Sequence, residues 1–411
     1  MNYFCFQTES KGAGPLLYSA IFASYELTML LTSFAFNHVT DRFRANLVVG
    51  LSLFATGVAT GLFGTLTFVS GTTEFVVGSF VTRIIESLGA TLFAICSYSF
   101  ISVCFPTSTG ATFGMMEMAF GLGMITGPIL GGALYTLGGF FFPFVLIGTL
   151  ISALGLAILF PKVDRLFKRA KCAGEREVEQ QNSLLLQAAG NELKNLRLNE
   201  SLTLRQFLQD SVIVFDGYLI VSAIMFISFN TASLELHLRH SGIASNPMII
   251  SALFIAEGVS YSLGAMIIGP LLDRHVKRAT EIAASGSIAI LASLVFMGPL
   301  PGIQFLTPGI TSSLLCLFVL GGGIAAKQTA GYQHAMHHTI YRKGAAGSQQ
   351  TYGYVAAMFF TCLSLGGFIG PILAGSFIER WNYRIATMVM FIIECFTLLA
   401  IVMMKLFSNN Y

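Results

Sequence analysis

The chain has 411 residues, 54% of them hydrophobic and only 10% charged, with a mean hydropathy of +0.73 and a formal net charge of +3. Soluble domains carry roughly 25% charged residues, so this much apolar surface cannot be hidden in one water-soluble core. The totals exclude a soluble enzyme or a nucleic-acid-binding domain and point to an all-α polytopic membrane protein.

The first residues, MNYFCFQTESKGAG, lack a basic segment followed by an apolar core, so no cleaved leader is expected and the first membrane helix should direct its own insertion. A membrane span needs about 20 apolar residues. On that rule eleven spans are expected, at 16–36, 46–70, 75–103, 111–137, 139–160, 212–234, 247–271, 279–298, 309–337, 345–378 and 384–407. A tight turn at Gly138-Gly139 parts the fourth from the fifth. Residues 162–208 form the one long polar segment, basic first, then mixed, then partly helical, and read as a cytosolic linker. The sequon Asn199-Glu200-Ser201 lies in it and is expected to stay unused. Seven cysteines are scattered with no CxxC or Cys/His metal spacing, so they read as small apolar fillers and no metal is expected.

Two markers recur. Asp41-Arg42 follows the first span and Asp273-Arg274 the seventh. The stretch GLGMITGPILGGALY in the fourth span, with Gly123, Gly127, Pro128 and Gly131, returns in the tenth as LGGFIGPILAGSFI, with Gly370, Pro371 and Gly375. Gly and Pro at this density would break a soluble helix. In a bundle within lipid they are tolerated, because neighbouring helices re-satisfy the backbone and small residues permit close approach. Both markers recur after six spans, so the unit is six helices. Eleven spans are then one short, and the expectation is about 11 of 12 transmembrane helices, the first missing, in two pseudo-symmetric halves: 1–161, the linker 162–208, and 209–411. Internal repeats of this kind are a hallmark of secondary transporters.

Lys and Arg gather on one set of loops: Arg42 and Arg44, then Lys162 to Lys171, then Arg274, Lys277 and Arg278, then Arg342 and Lys343. That side reads as cytosolic. Each Asp-Arg pair then sits at a cytosolic helix end, where the Asp could latch the bundle through Arg residues of a neighbouring helix. Ionisable residues inside spans are costly and read first as functional. They are Glu26, Arg83, Glu86, Glu117, Asp216, Glu257, Lys327 and Glu394, with Glu235 near an outer end. Arg83 and Glu86 are spaced to pair within one helix; Lys327 could pair with another Glu. Embedded carboxylates can exchange protons and suit a cationic substrate. Tyr261, Tyr352 and Tyr354 could stack on a cation or simply pack in the core. His334, His337 and His338 read as a solvated helix end. No P-loop, HExxH or GxSxG occurs, so an ion gradient rather than a nucleotide is the expected drive, with no cofactor.

At these residues the chain resembles the major facilitator superfamily over nearly its whole length. Asn37 to Arg42 and Gly269 to Arg274 look like its loop motif, without the Gly after Asp-Arg. Arg83 to Ala90 resembles the fourth-helix motif implicated in proton coupling, and Gly123 to Gly132 the antiporter motif. Within the superfamily it looks most like the vesicular amine transporters, closest to their polyamine branch, on Glu9 to Gly12, Val259 to Gly264 and Gly131 to Phe144. The resemblance implies that Leu234-Glu235 lies near substrate and that Tyr261 lines a cavity. Lys327-Gln328 and Ala356-Ala357 stand where the amine carriers have acids, which argues against classical monoamines. The expectation is a monomeric, proton-coupled antiporter of organic cations such as polyamines, in a vesicle, other endomembrane or the plasma membrane. Its substrate and proton candidates are Glu26, Glu117, Glu235, Glu257, Tyr261, Arg83, Glu86 and Lys327. The rivals are a broad-specificity drug efflux antiporter and a truncated, transport-inactive membrane protein.

Overall fold

The computed structural model describes residues 15–189, 203–240, 242, 247–298, 309–342, 349–380 and 383–408. Every regular element among them is helical: α1 Pro15–Arg42, α2 Ala45–Thr65, α3 Thr72–Cys104, α4 Thr109–Gly138, α5 Phe141–Ile158, α6 Pro161–Ala189, α7 Leu204–Leu208, α8 Ser211–His240, α9 Pro247–Arg274, α10 Ala279–Met297, α11 Ile310–His337, α12 Gln349–Arg380 and α13 Tyr383–Ser408. Short 3-10 turns follow α2 and α9, and a π-helical turn, His338–Arg342, follows α11.

Ten helices among the described residues, α2 to α5 and α8 to α13, are long and apolar enough to cross a membrane. They fall at ten of the eleven expected spans. The eleventh position holds α1, which carries Ser24, Glu26, Thr28, Thr32 and Ser33 within ten residues and is the least apolar of the set. Its hydroxyls bond back to their own helix, Ser24 to Ile21 O at 2.7 Å and Ser33 to Met29 O at 2.6 Å. Donors so satisfied can sit in apolar surroundings.

The first part of the polar segment, expected to be partly helical, is the helix α6. One face packs on α3, through Phe167 stacked on Phe100 at 4.9 Å. Gly174 lies so close to Val103 that a Cβ there would overlap its carbonyl oxygen. Lys162, Arg165, Arg169 and Arg176 are exposed. Periodicity this amphipathic gives a surface helix rather than a span. The sequon at 199–201 lies outside the described residues. Of the cysteines, Cys96, Cys104 and Cys316 are buried as fillers, whereas Cys172 and Cys395 are exposed.

The chain divides into two compact units. The first comprises Met1–Pro106, Gly127–Ser201 and Ala345–Ser364; the second comprises Thr107–Thr126, Leu202–Gly344 and Leu365–Tyr411. In the first unit, Phe63, Phe75 and Phe140 form an aromatic core with Ile21, Phe63 and Phe140 lying 5.7 Å apart. In the second, Phe226, Phe229, Leu234, Leu253, Leu320 and Met390 belong to a larger apolar core drawn from α8, α9, α11 and α13.

Candidate functional site

The second unit holds the described ionisable groups that are most deeply buried. α9 runs against the first half of α4, and small residues set the spacing. A Cβ on Gly269 would overlap the Gly110 carbonyl oxygen, and one on Gly114 would overlap that of Ala265. The same pairing of small residues four apart lets helix backbones touch in lipid. At the end of this seam the Asp273 carboxylate accepts the backbone N–H groups of Gly110 and Ala111, both at 2.7 Å, and the Gln333 amide at 3.1 Å. The partner expected for this Asp was an Arg; the structure supplies a helix N-terminus. First-turn N–H groups have no intrahelical acceptor and carry partial positive charge, so they serve as a fixed cation. Arg274 is exposed, as is Arg42; the Asp41 side chain lies outside the described ones.

Two turns deeper, Glu117 on α4 is 2% exposed. Its Oε2 accepts the Tyr261 hydroxyl from α9 and the Gln328 Nε2 from α11 at 3.1 Å. One turn from Tyr261, Glu257 is 6% exposed and its Oε2 accepts Asn230 Nδ2 from α8 at 2.9 Å. Glu257 Oε1, Gln328 Oε1 and the Tyr383 hydroxyl are buried without a hydrogen-bond partner among the described residues. The Tyr383 ring stacks on His237 at 3.9 Å. Orphaned buried acceptors cost about 1–3 kcal/mol each, so this cluster is a site that a polar ligand would satisfy.

Lys327 is wholly buried but turns away from that cluster. Its Nζ donates to both oxygens of Glu394 at 2.8 and 2.7 Å, with neither side chain exposed, and lies 5.7 Å from the Phe226 ring. The pairing of Lys327 with a Glu was anticipated, but the sequence could not name Glu394 or its orientation. Nor do the histidines behave as a solvated end. His334 Nδ1 meets both Asp216 oxygens at 2.9 Å and His338 Nε2 meets Asp210 at 3.1 Å. The acids that engage them come from α8 and the turn before it, 118 and 128 residues away in sequence. No spacing rule reports such neighbours.

The first unit is less charged within. Arg83 and Glu86 pair at 2.9 Å, as their spacing anticipates, and are 13% and 15% exposed. Thr60 donates to Glu86 at 3.0 Å and the Arg83 guanidinium lies 4.8 Å above the Phe63 ring. Glu26 on α1 is half-buried, its Oε2 without a partner among the described residues. The Glu235 side chain lies outside the described ones. Tyr352 and Tyr354 are core residues, 2% and 3% exposed. Among the repeated motif's glycines, Gly370 packs on the α8 backbone at Met225 and Phe229, while Gly123, Gly127, Gly131 and Gly375 face open space. Pro371 is exposed inside α12 and the Pro128 side chain lies outside the described ones. No metal-binding group of three His, Cys, Asp or Glu occurs among the described residues.

Ten helices long and apolar enough to cross a membrane, with carboxylates buried among those of the second unit, are the frame of a membrane transporter. The model of the Major Facilitator Superfamily matches residues 4–361, and the chain belongs to that superfamily. It is therefore an integral, multi-pass membrane transporter and not an enzyme. Among curated proteins it is 25% identical to the MFS-type transporter SLC18B1 of Mus musculus, over 98% of this chain and 81% of that one. Identity to the protein of the same name from Homo sapiens is 24%, over 93% and 76%. Among solved structures, a bacterial homologue of the iron transporter ferroportin, in an outward-facing state, aligns with a TM-score of 0.66 over 97% of this chain and 93% of that one. At 13% identity that likeness shows the fold alone.

Proposed function

We propose that the chain is a proton-coupled antiporter of organic cations carrying more than one ammonium, with polyamines as the leading class, working by alternating access. The observation that carries this reading is the Glu117–Tyr261–Gln328 group with Glu257 one turn away. Two carboxylates there are dry, while the buried lysine of the same unit is committed to Glu394. A carboxylate out of water needs compensation by charge or hydrogen bonds, and a substrate ammonium can supply both. The Tyr261 ring stands beside them, its hydroxyl on Glu117, and an aromatic ring suits an alkylammonium chain. The resemblance to the vesicular amine transporters supports the same substrate class and names Tyr261 independently.

Uptake of labelled spermidine into proteoliposomes with an acidic lumen is the test. The reading requires accumulation that collapses when a protonophore is added. Uptake indifferent to the gradient, or equal inhibition by unrelated bulky cations, would replace it with a uniporter or a broad-specificity efflux carrier.

A further inference from the structure

The residues on one side of α11 form a series that the cation site does not use. Positions 327 and 334 of α11, and 338 at the start of the π-helical turn that continues it, recur at the spacing that lines up along one helix face. Each meets an acid from another element: Lys327 meets Glu394 of α13, His334 meets Asp216 of α8, and His338 meets Asp210 just before α8. Among the acids, exposure falls along the series from Asp210 through Asp216 to Glu394. The His334 and His338 side chains are 26% and 12% exposed, those of Asp210 and Asp216 are 7% and 2%, and Lys327 and Glu394 are at zero. Gly331 lies between the second pair and the first, in contact with the α8 backbone at Asp216. Gln328 leaves the same helix about 100° away and bonds to Glu117.

A fully buried ion pair is an expensive way to hold helices together. Apolar residues of the same volume often do as well or better. Three acid–base pairs in a row, the two at the helix end in reach of water and the innermost dry, are what a proton needs to enter. We propose that this face of α11 conducts the exchanged proton and that the Lys327–Glu394 pair stores it, separately from the cation on Glu117 and Glu257. This rests on the antiport reading above and assigns its second substrate.

In the step proposed, an imidazole of His338 and then of His334 takes the proton and gives it up inward. Glu394 accepts it as a neutral acid and Lys327 stays an ammonium. The pair thus goes from no net charge to one positive charge. A cation arriving at Glu117 and Glu257, across one helix diameter of ~10 Å, meets that charge in a poorly screened interior and drives the proton back out. Among the described residues, the acids facing this route are Glu394 from α13, and Asp216 and Asp210 from α8 and the turn before it, with the Cys395 thiol beside Glu394. α10 meets it with the Gly286 backbone, while its Glu281 is engaged at the surface by Lys405.

The experiment compares purified wild type, the paired variant K327M/E394L and the paired variant D216N/H334Q in proteoliposomes. Two activities are read with labelled spermidine: gradient-driven accumulation, and exchange at equal pH on both sides. The ratio of accumulation to exchange should fall at least tenfold in K327M/E394L and severalfold in D216N/H334Q. In the infrared, a carboxylic-acid carbonyl band that grows on acidification of the wild type should be missing from K327M/E394L. An unchanged ratio in both variants, or a band that persists in K327M/E394L, would overturn the assignment. A wild type that moves no spermidine would sink the cation reading, and the infrared band would still decide this one. If K327M/E394L does not fold, the ratio in D216N/H334Q decides.

Discussion

Two helix crossings in this molecule stand at corresponding places in the sequence repeat, and they hold different side chains. The offset of 243 residues that carries Gly127 to Gly370 also carries Gly110 to Gly353, Gly114 to Ala357 and Glu117 to Phe360. The offset of 232 that carries Asp41 to Asp273 carries Asn37 to Gly269, Ser33 to Ala265 and Met29 to Tyr261. In the second unit, α9 meets α4 through Gly110 and Gly269; in the first, α1 meets α12 through Gly353 and Asn37, whose Nδ2 donates to Gln350 O at 3.2 Å. A Cβ on Gly353 would overlap the Asn37 side chain. Both crossings hold a glycine at the contact, but the obstacle is backbone at Gly269 and a movable side chain at Gly353. Deeper in, the first crossing is filled by Phe359 and Phe360 against Tyr98, the latter pair 4.9 Å apart, and the second by Glu117, Tyr261 and Gln328. Aromatics inside a membrane bundle need no further reason. A carboxylate does. Where a duplicated scaffold keeps its shape and changes its polarity, the polar copy is where function should be sought.

That contrast yields predictions of graded size. Removing one partner of the dry pair, as in E394Q or K327M alone, should cost about 3–5 kcal/mol of stability, because the other charge is left buried. R83M in the first unit should cost clearly less, since water reaches that pair. Thermal unfolding of the three variants in one detergent ranks them. Next, E117Q should lower spermidine uptake by roughly 10- to 100-fold, the worth of a charge-assisted bond. F360L should leave uptake within about twofold, in keeping with a volume-conserving core change; equal losses would erase the distinction between the crossings. G269A should destabilise by about 1–3 kcal/mol through overpacking against backbone, and G353A by less, because the Asn37 side chain can move aside; equal values would contradict that difference. Smallest are the helix-end contacts. D273N should cost about 2 kcal/mol, for a lost charge on a helix N-terminus, and N37A about 1 kcal/mol, for a neutral bond. Added salt should narrow that gap if it is electrostatic.

Much of this could be read in the residues themselves. Apolar runs placed ten of the eleven spans, and the repeated Gly-Pro and Asp-Arg markers pointed to the helices whose crossings correspond. The pairing of Arg83 with Glu86 was legible because both lie on one turn of one helix. What sequence could not supply was which helices are neighbours. It therefore offered Asp273 an arginine where the fold offers the N–H groups of Gly110 and Ala111. For the same reason it left His334 and His338 in solvent instead of against Asp216 and Asp210, and left Glu394 out of the candidate site. The helix α6 falls in the stretch read as a partly helical linker, and its extent follows from the amphipathic periodicity rather than from composition.

The central claim is that the dry carboxylates of the second unit hold the cation. Equilibrium binding of labelled spermidine to purified protein tests it most directly, comparing the wild type with E117Q/E257Q, which keeps both side-chain shapes. Affinity at least tenfold weaker in the double variant, with unfolding still cooperative, is the result this account predicts. Binding of equal strength in the two proteins would contradict it.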